Sequence, residues 1–266
     1  MKEEKINEQA EDLPKEEEFT QDEVSAAAKI DKRAFDKGSW KPRTSLGRKV
    51  KNGEITSIGE ILDNRYRIME REIVDILLPG LKTDLLLVGQ AKGKFGGGQR
   101  RVFRQTQKKT QEGNKPHFGT FALVGNEDGY VGIGYGKSKE TVPAREKAIR
   151  NSKQNIIKVL RGCGSWRCGC KNPHSVPFVV EGKCGSVKIR LIPAPRGTGL
   201  SIEKECGKML KAAGIKDVWC KTSGKTGTKA NLIYACFDAL KKLTEVKFQQ
   251  KDEESLGIVE GPVSAN

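Results

Sequence analysis

Glycine at alternate positions of one strand is the pattern that most narrows what this chain can become. Residues 130–136 read Tyr130-Val131-Gly132-Ile133-Gly134-Tyr135-Gly136. Strand side chains point alternately to two faces, so one face carries Val131, Ile133 and Tyr135 and the other is bare backbone. A bare face costs conformational entropy, and is tolerated where a helix, a second chain or a nucleic-acid backbone must come close. Upstream, Thr120, Phe121, Ala122, Leu123 and Val124 form a nearly all-apolar, β-prone run expected to be buried. Asn126-Glu127-Asp128-Gly129 lies between the two runs and supplies the turn of a hairpin. Downstream, Pro143 falls in the first turn of a helix with Ala144, Ala148, Ile149, Ile156 and Leu160 along one stripe. The other side of that helix holds Arg145, Lys147, Arg150, Lys153 and Lys158.

A sheet backed by a cationic helix suits a polyanion, and the composition agrees. Lys+Arg total 49 against Asp+Glu 34, a formal net charge of +15, in a chain of 266 residues long enough for one or two buried cores. No stretch reaches the apolar length of a membrane span and no signal-peptide pattern opens the chain, which points to a soluble, cytoplasmic protein with no membrane partner. Seven cysteines without secretory context point to reduced thiols or metal ligands rather than disulfides.

Residues 1–39 are expected to be a disordered tail whose acidic opening cannot bury enough surface to offset its ordering entropy. Residues 40–83 read as an irregular basic arm, with Lys41, Arg43, Arg48, Lys49 and Lys51, followed by one amphipathic helix. That helix starts at the N-cap Ser57, runs through Ile58, Ile61, Leu62, Met69, Ile73, Ile76 and Leu77, and stops at Pro79-Gly80. The first module, residues 84–161, opens with a short apolar segment at 84–89. A strongly cationic stretch follows, in which Lys92, Lys94, Arg100, Arg101, Arg104, Lys108, Lys109 and Lys115 face the single acid Glu112. With Gly96, Gly97 and Gly98 in its middle, it offers both long cations and backbone N–H groups to phosphate oxygens. Val102, Phe103 and Arg104 are expected to begin a strand pairing with residues 120–124.

The linker at 162–174 carries Cys163, Cys168, Cys170 and His174, a donor set that suits a tetrahedral zinc ion. Against that, Cys168 and Cys170 are closer than common zinc spacings, and Cys184 is an alternative fourth ligand. A glycine-rich linker with inert thiols is the competing reading, and Trp166 with Arg167 in the same stretch suits stacking on a base or ribose. In the second module, residues 175–247, strands are expected at 176–181 and 187–192, joined by Gly182-Lys183-Cys184-Gly185, with Lys188 and Arg190 on one face. A stiff Pro193-Ala194-Pro195-Arg196-Gly197-Thr198-Gly199 turn, a helix, a strand at 217–220 and a last helix complete it. Residues 248–266 read as a disordered tail. The chain is therefore α+β, with a sheet-and-helix module followed by a β-β-α-β-α module.

No catalytic constellation emerges. Gly136-Lys137-Ser138 and Gly224-Lys225-Thr226 resemble ends of phosphate-binding loops, but Val131 and Trp219 stand where that pattern needs glycine. His117 and His174 have no nucleophile and carboxylate nearby in sequence. No enzymatic activity and no small-molecule substrate are expected.

The motif GYGKSKETVPAREKAIRNSKQNI, with Arg190-Leu191-Ile192-Pro193-Ala194-Pro195-Arg196-Gly197-Thr198-Gly199 and Ala213-Gly214-Ile215-Lys216-Asp217-Val218 in order after it, closely resembles the ribosomal protein S5 family in its archaeal and eukaryotic branch. The resemblance spans residues 40–243. It implies a double-stranded-RNA-binding-like first module and the S5 C-terminal fold for the second. It also implies a structural role in the small ribosomal subunit near the decoding region and the mRNA entrance, beside other ribosomal proteins, with an influence on translational accuracy. By the resemblance and the basic-patch reading, rRNA contact is expected at Lys92, Lys94, Gly97, Gly98, Arg100, Arg101, Arg104, Lys108, Lys109, Lys137, Lys139 and Arg145. A free double-stranded-RNA-binding factor is the alternative function.

Overall fold

The computed structural model describes residues 40–91, 98 and 100–262. The acidic tail at 1–39, Lys92, Lys94, Gly97 and the last residues from 263 lie outside them. Three short helices come first: α1 (Ser45–Asn52), α2 (Ile58–Asp63) and α3 (Arg71–Leu77). The basic arm is thus partly helical rather than irregular. Thr44 caps α1 by accepting from Gly47 N, and Gly53 closes it in the left-handed conformation that glycine adopts without penalty. Ser57 does cap the next helix, accepting from Gly59 N, but the single amphipathic helix expected over 57–77 is two. The chain breaks after Asp63, where Arg65 takes φ +55°. The apolar periodicity persists across the break because Ile58, Ile61, Ile73 and Val74 all enter one small core with Trp40, Val50 and Tyr130. Glu70 ties its edge, accepting from Trp40 Nε1 at 3.1 Å and from the backbone N–H groups of Arg43 and Thr44 at 2.9 and 2.6 Å.

The first sheet consists of β1 (Lys82–Leu86), β2 (Arg104–Thr110), β3 (Gly113–Gly125), β4 (Tyr130–Ser138) and β5 (Ile156–Lys158), in the order β1-β3-β4-β5 with β2 also on β3. All its pairings are antiparallel. Residues 120–124 pair with β4 and β1, not with the strand beginning at Arg104, which instead pairs one half earlier, Arg104 opposite Gly119. In the β3–β4 turn, Asn126 Oδ1 accepts from the N–H groups of Asp128 and Tyr130 at 2.9 and 3.0 Å.

Helix α4 (Thr141–Gln154) lies on the bare face of β4. A Cβ on Gly132, Gly134 or Gly136 would come within 2.3 Å of the α4 backbone. Of the three partners that a bare strand face suits, the helix takes the place. The opposite face, with Phe121, Leu123, Val131 and Ile133, is continuous with the core of the second module.

After β6 (Leu160–Arg161), that module contains β7 (Val180–Cys184), β8 (Val187–Pro193), β9 (Leu200–Ser201), α5 (Lys204–Ala212), β10 (Val218–Ser223) and α6 (Lys229–Leu243). Its sheet runs β7-β8-β10-β9, with β9 parallel to β10 and the other pairs antiparallel. The first strand begins at Val180 rather than Val176, and Gly182 lies inside it rather than in the turn. A Cβ there would stand 2.0 Å from the Ala235 carbonyl oxygen, so this glycine again admits a helix. The two modules share one buried core, with Met209, Leu210 and Ala213 of the α5 region among its members. Leu87 N–H donates to the buried Glu205 Oε2 at 2.9 Å, and Glu127 N–H to the Ala212 carbonyl at 2.9 Å.

Beyond residue 248 the chain is not a disordered tail as far as it is described. Helix α7 (Gln250–Leu256) and strand β11 (Val259–Glu260) return it to the first module, where β11 pairs with β6. Arg161 donates to the Gly261 carbonyl at 2.8 Å and pairs with Asp128 at 2.7 Å. Among the described residues no helix is long and apolar enough to cross a membrane.

Candidate nucleic-acid interface and cysteine-histidine cluster

Strand β2 reads Arg-Gln-Thr-Gln-Lys-Lys-Thr, with both faces largely in solvent. Paired to the outer half of β3, it extends as a cationic ribbon whose facing pair is Lys108 and Lys115. The ribbon, the end of β4 and the start of α4 enclose an open cleft of about 910 Å³. Lys108, Lys137, Lys139 and Lys147 line it together with His117 and Ser138. Glu140, which also lines the cleft, is the N-cap of α4 yet makes no side-chain capping bond, so the Thr141 and Val142 N–H groups keep their capacity for an anion while Pro143 has none to offer. The positive end of the helix dipole points the same way.

Of the residues expected on this surface, Lys108, Lys137 and Lys139 converge on the cleft. Lys109, Arg101 and Arg104 are exposed on the same ribbon or at its base, and Gly98 is exposed. Arg100 is half-buried and donates to the Gly89 carbonyl at 3.4 Å, and Arg145 is half-buried on α4. The cationic side of α4 is smaller than its sequence suggests. Lys153 is bound to Asp75 at 2.7 Å, and Lys158 to Asp63 at 3.1 Å and Glu260 at 3.6 Å, which leaves Lys147 and Arg150 outward. Sequence reasoning did not assign Thr106, Gln107 or His117 to this site, and it placed Lys147 on the cationic side of the helix without naming it as a contact. The alternation of β2 with β3 would have placed His117 opposite Thr106, had the register been legible.

A second cationic surface lies on the outer face of the other sheet. Lys188 and Arg190 of β8 stand opposite Lys183 and Glu181 on one side and Ser223 and Lys221 on the other. These side chains are exposed, while Val187, Ile189 and Leu191 between them are buried.

The linker brings Cys163, Cys168, Cys170 and His174 together, with all four ligand atoms within 4.8 Å of one another. Cys170 Sγ is 3.6 Å from Cys163 Sγ, and Cys168 Sγ is 3.8 Å from His174 Nε2. Zinc–sulfur bonds of about 2.3 Å and zinc–nitrogen bonds of about 2.0 Å at tetrahedral angles give edges of about 3.8 and 3.5 Å, so the group has the size of a zinc site. Cys184 sits in β7 and is not part of it. His174 turns Nδ1 to Asp217 Oδ2 at 2.9 Å, both side chains being buried, which leaves Nε2 for a metal. This carboxylate is the partner that no neighbour in sequence supplied. Its other oxygen accepts from Gly197 N and Gly199 N at 3.1 and 2.8 Å. Backbone N–H groups of Arg196 and Cys170 directed at the Cys168 sulfur lower its pKa to about 6, whereas burial pushes Cys163 up to about 11. All seven cysteines are free.

Two family descriptions match the chain: ribosomal protein S5, N-terminal domain, over residues 102–160, and ribosomal protein S5, C-terminal domain, over residues 182–254. Among curated relatives, the small ribosomal subunit protein uS5 of Nanoarchaeum equitans is 51% identical over 224 residues, covering 84% of this chain and 96% of the relative. The protein of the same name from Methanocaldococcus jannaschii is 48% identical over 229 residues, 86% of this chain and 99% of the relative. That from Pyrobaculum aerophilum is 50% identical over 207 residues, 78% and 88% of the two chains.

Proposed function

This chain belongs to the ribosomal protein S5 family, and we propose that it grips ribosomal RNA through the cleft at the start of α4. It is a structural, non-enzymatic constituent of the small subunit of the cytoplasmic ribosome, with rRNA and neighbouring ribosomal proteins as partners. The observation that carries the RNA reading is the convergence of Lys108, Lys137, Lys139 and Lys147 on an open cleft beside an uncapped helix N-terminus. Point charges on flexible stems and backbone N–H groups bind phosphates without reading bases, which suits a protein that holds one folded RNA in register. Arg101, Arg104 and Lys109 extend that contact along the ribbon, Arg100, Gly98 and Arg145 flank it, and Lys92, Lys94 and Gly97 belong to the same cationic stretch of sequence. The outer face of the second sheet supplies a further contact through Lys188, Arg190 and Lys221. Engagement of mRNA near its entrance, close to the decoding region, and support of translational accuracy are part of the proposal.

Two measurements test it. With about six cations on phosphates, the log–log salt dependence of RNA affinity has a slope of about −4 to −5, and a slope near zero is incompatible with the reading. On sucrose gradients the chain stays with small subunits through a salt wash; release as a free factor would favour a processing or regulatory role.

Family membership establishes no cofactor. We propose that Cys163, Cys168, Cys170 and His174 hold one structural zinc ion, supported by the size of the group and by the Asp217 contact that orients the imidazole. Elemental analysis of washed protein is expected to find one zinc per chain, and cobalt substitution to give thiolate-to-metal absorption; neither signal appearing would remove the metal.

A further inference from the structure

Trp166 is 87% exposed, more than any other large hydrophobic side chain among the described residues. A single exposed aromatic on a surface needs no explanation by itself. This one, however, lies in a closely held loop. Residues 165–168 form a turn closed by Cys168 N–H donating to the Ser165 carbonyl at 3.1 Å, with Trp166 and Arg167 at its centre. Ser165 is buried on one side of them, and Cys163 and Cys168 of the cluster flank the turn. The Arg167 guanidinium stands 5.3 Å from the centre of the Trp166 ring. Across the Cys168 sulfur lies the 195–199 turn, whose Arg196 N–H is directed at that sulfur and whose Arg196 side chain is exposed. Asp217 fastens the same turn to His174.

An indole and the Arg167 guanidinium therefore stand together, with the exposed Arg196 on the adjoining turn, on backbone arranged before any partner arrives. Residues 162–174 contain Arg167 and Lys171 and no acid. That chemistry fits a planar base next to a phosphate: every base offers a π face to an aromatic ring, and arginine binds phosphate through a planar fork. A protein partner would equally accept the indole but gives no reason for the one-signed charge of the loop itself.

We propose that the metal-held loop is a second RNA site that takes an unpaired nucleotide, its base on Trp166 and its phosphate between Arg167 and Arg196. This rests on the zinc reading above, because the ligands are what set the turn. The loop differs in kind from the α4 cleft, which tracks a backbone; this site selects for a base out of its helix.

The test uses the full chain with its zinc content measured, a single-stranded oligoadenylate and a blunt RNA duplex. Oligoadenylate is expected to quench tryptophan emission, and Trp166→Ala to abolish most of that quench. The same substitution weakens oligoadenylate binding about tenfold, leaves duplex binding within about twofold and keeps the zinc. Trp166→Phe retains most of the affinity. Trp166→Ala binding oligoadenylate as tightly as the parent, zinc in place, would overturn the site and leave the indole to a protein neighbour. Cys168→Ser is expected to lose zinc and the oligoadenylate preference together. Loss of zinc with the preference intact would show that the metal does not organise the site, and absence of zinc from the parent chain would sink the metal reading separately.

Discussion

The α4 cleft and the cysteine-histidine loop reach a cationic surface by opposite routes. In the cleft, the side chains that matter are exposed, and regular pairing of β2, β3 and β4 with α4 sets their positions. In the loop, the determining groups are turned inward: Cys163 and His174 are buried, Asp217 is buried behind His174, and the backbone between them is irregular. Charge carried on a sheet is spread over many independent contacts, so losing one lysine is a graded change. The loop is paired only at its ends, through the Gly162–Ser175 bridge, so on the zinc reading proposed above losing one ligand is expected to loosen all of it.

The comparison breaks most visibly at the metal. If free zinc exceeds its dissociation constant a thousandfold, chelation removes about 4 kcal/mol of stability, read as a fall in melting temperature that added zinc restores. Cys168→Ser should reproduce that fall and no longer respond to zinc. On the cleft side the scaffold is next. Gly134→Ala would put a Cβ 2.2 Å from Ser152 N on the α4 backbone, and the forced displacement costs about 3 kcal/mol, measured by denaturant unfolding. Lys137→Ala tests the graded half: it should leave stability alone and reduce the salt slope of RNA binding by about 1. An unchanged slope would place Lys137 off the RNA.

The smallest effect lies outside both regions and sharpens the contrast by testing a packed layer with no role in either. Burial of Glu70 works against its charge, but hydrogen bonds from Thr44, Arg43 and Trp40 outweigh that and hold its pKa below the ordinary 4.5. A depressed carboxylate contributes stability that is present above pH 4.5 and lost as pH falls through the lower folded value. Glu70→Gln is expected to cost about 1 kcal/mol at neutral pH and to flatten that acid limb. A pH profile identical to the parent's would remove Glu70 as its source.

What could be read ahead of the structure follows from where apolar side chains face. The 120–124 run and the glycine strand announced themselves as apolar and glycine-alternating stretches covered on both faces, the hairpin turn by its Asn-Glu-Asp-Gly, and α4 and α6 by one buried face and one open one. Strand β2 did not: with both faces in solvent, Arg-Gln-Thr-Gln-Lys-Lys-Thr has no apolar alternation, and its pairing with the outer half of β3 left no trace. The break near Arg65 was hidden for the reverse reason, since helices on either side feed the same core. The return of the C-terminus rests on Ile258, half-buried against the main core, and on close backbone contact at Gly257, too little to distinguish from a tail. The cluster proposed to hold a metal was legible as three cysteines and one histidine close in sequence, whereas Asp217, 43 residues from His174, was not.

Sequence by itself determined the charge of this protein, the order of those strands and helices whose apolar pattern matches their burial, and the residue types able to bind phosphate or metal, because these are local properties of side chains and their period. Tertiary structure alone decided which lysines are spent on internal acids and which face a cleft, that the glycine face receives a helix, and that a distant carboxylate orients His174. Each of these depends on groups far apart in the chain arriving within a few ångströms of one another, and local periodicity carries no record of that.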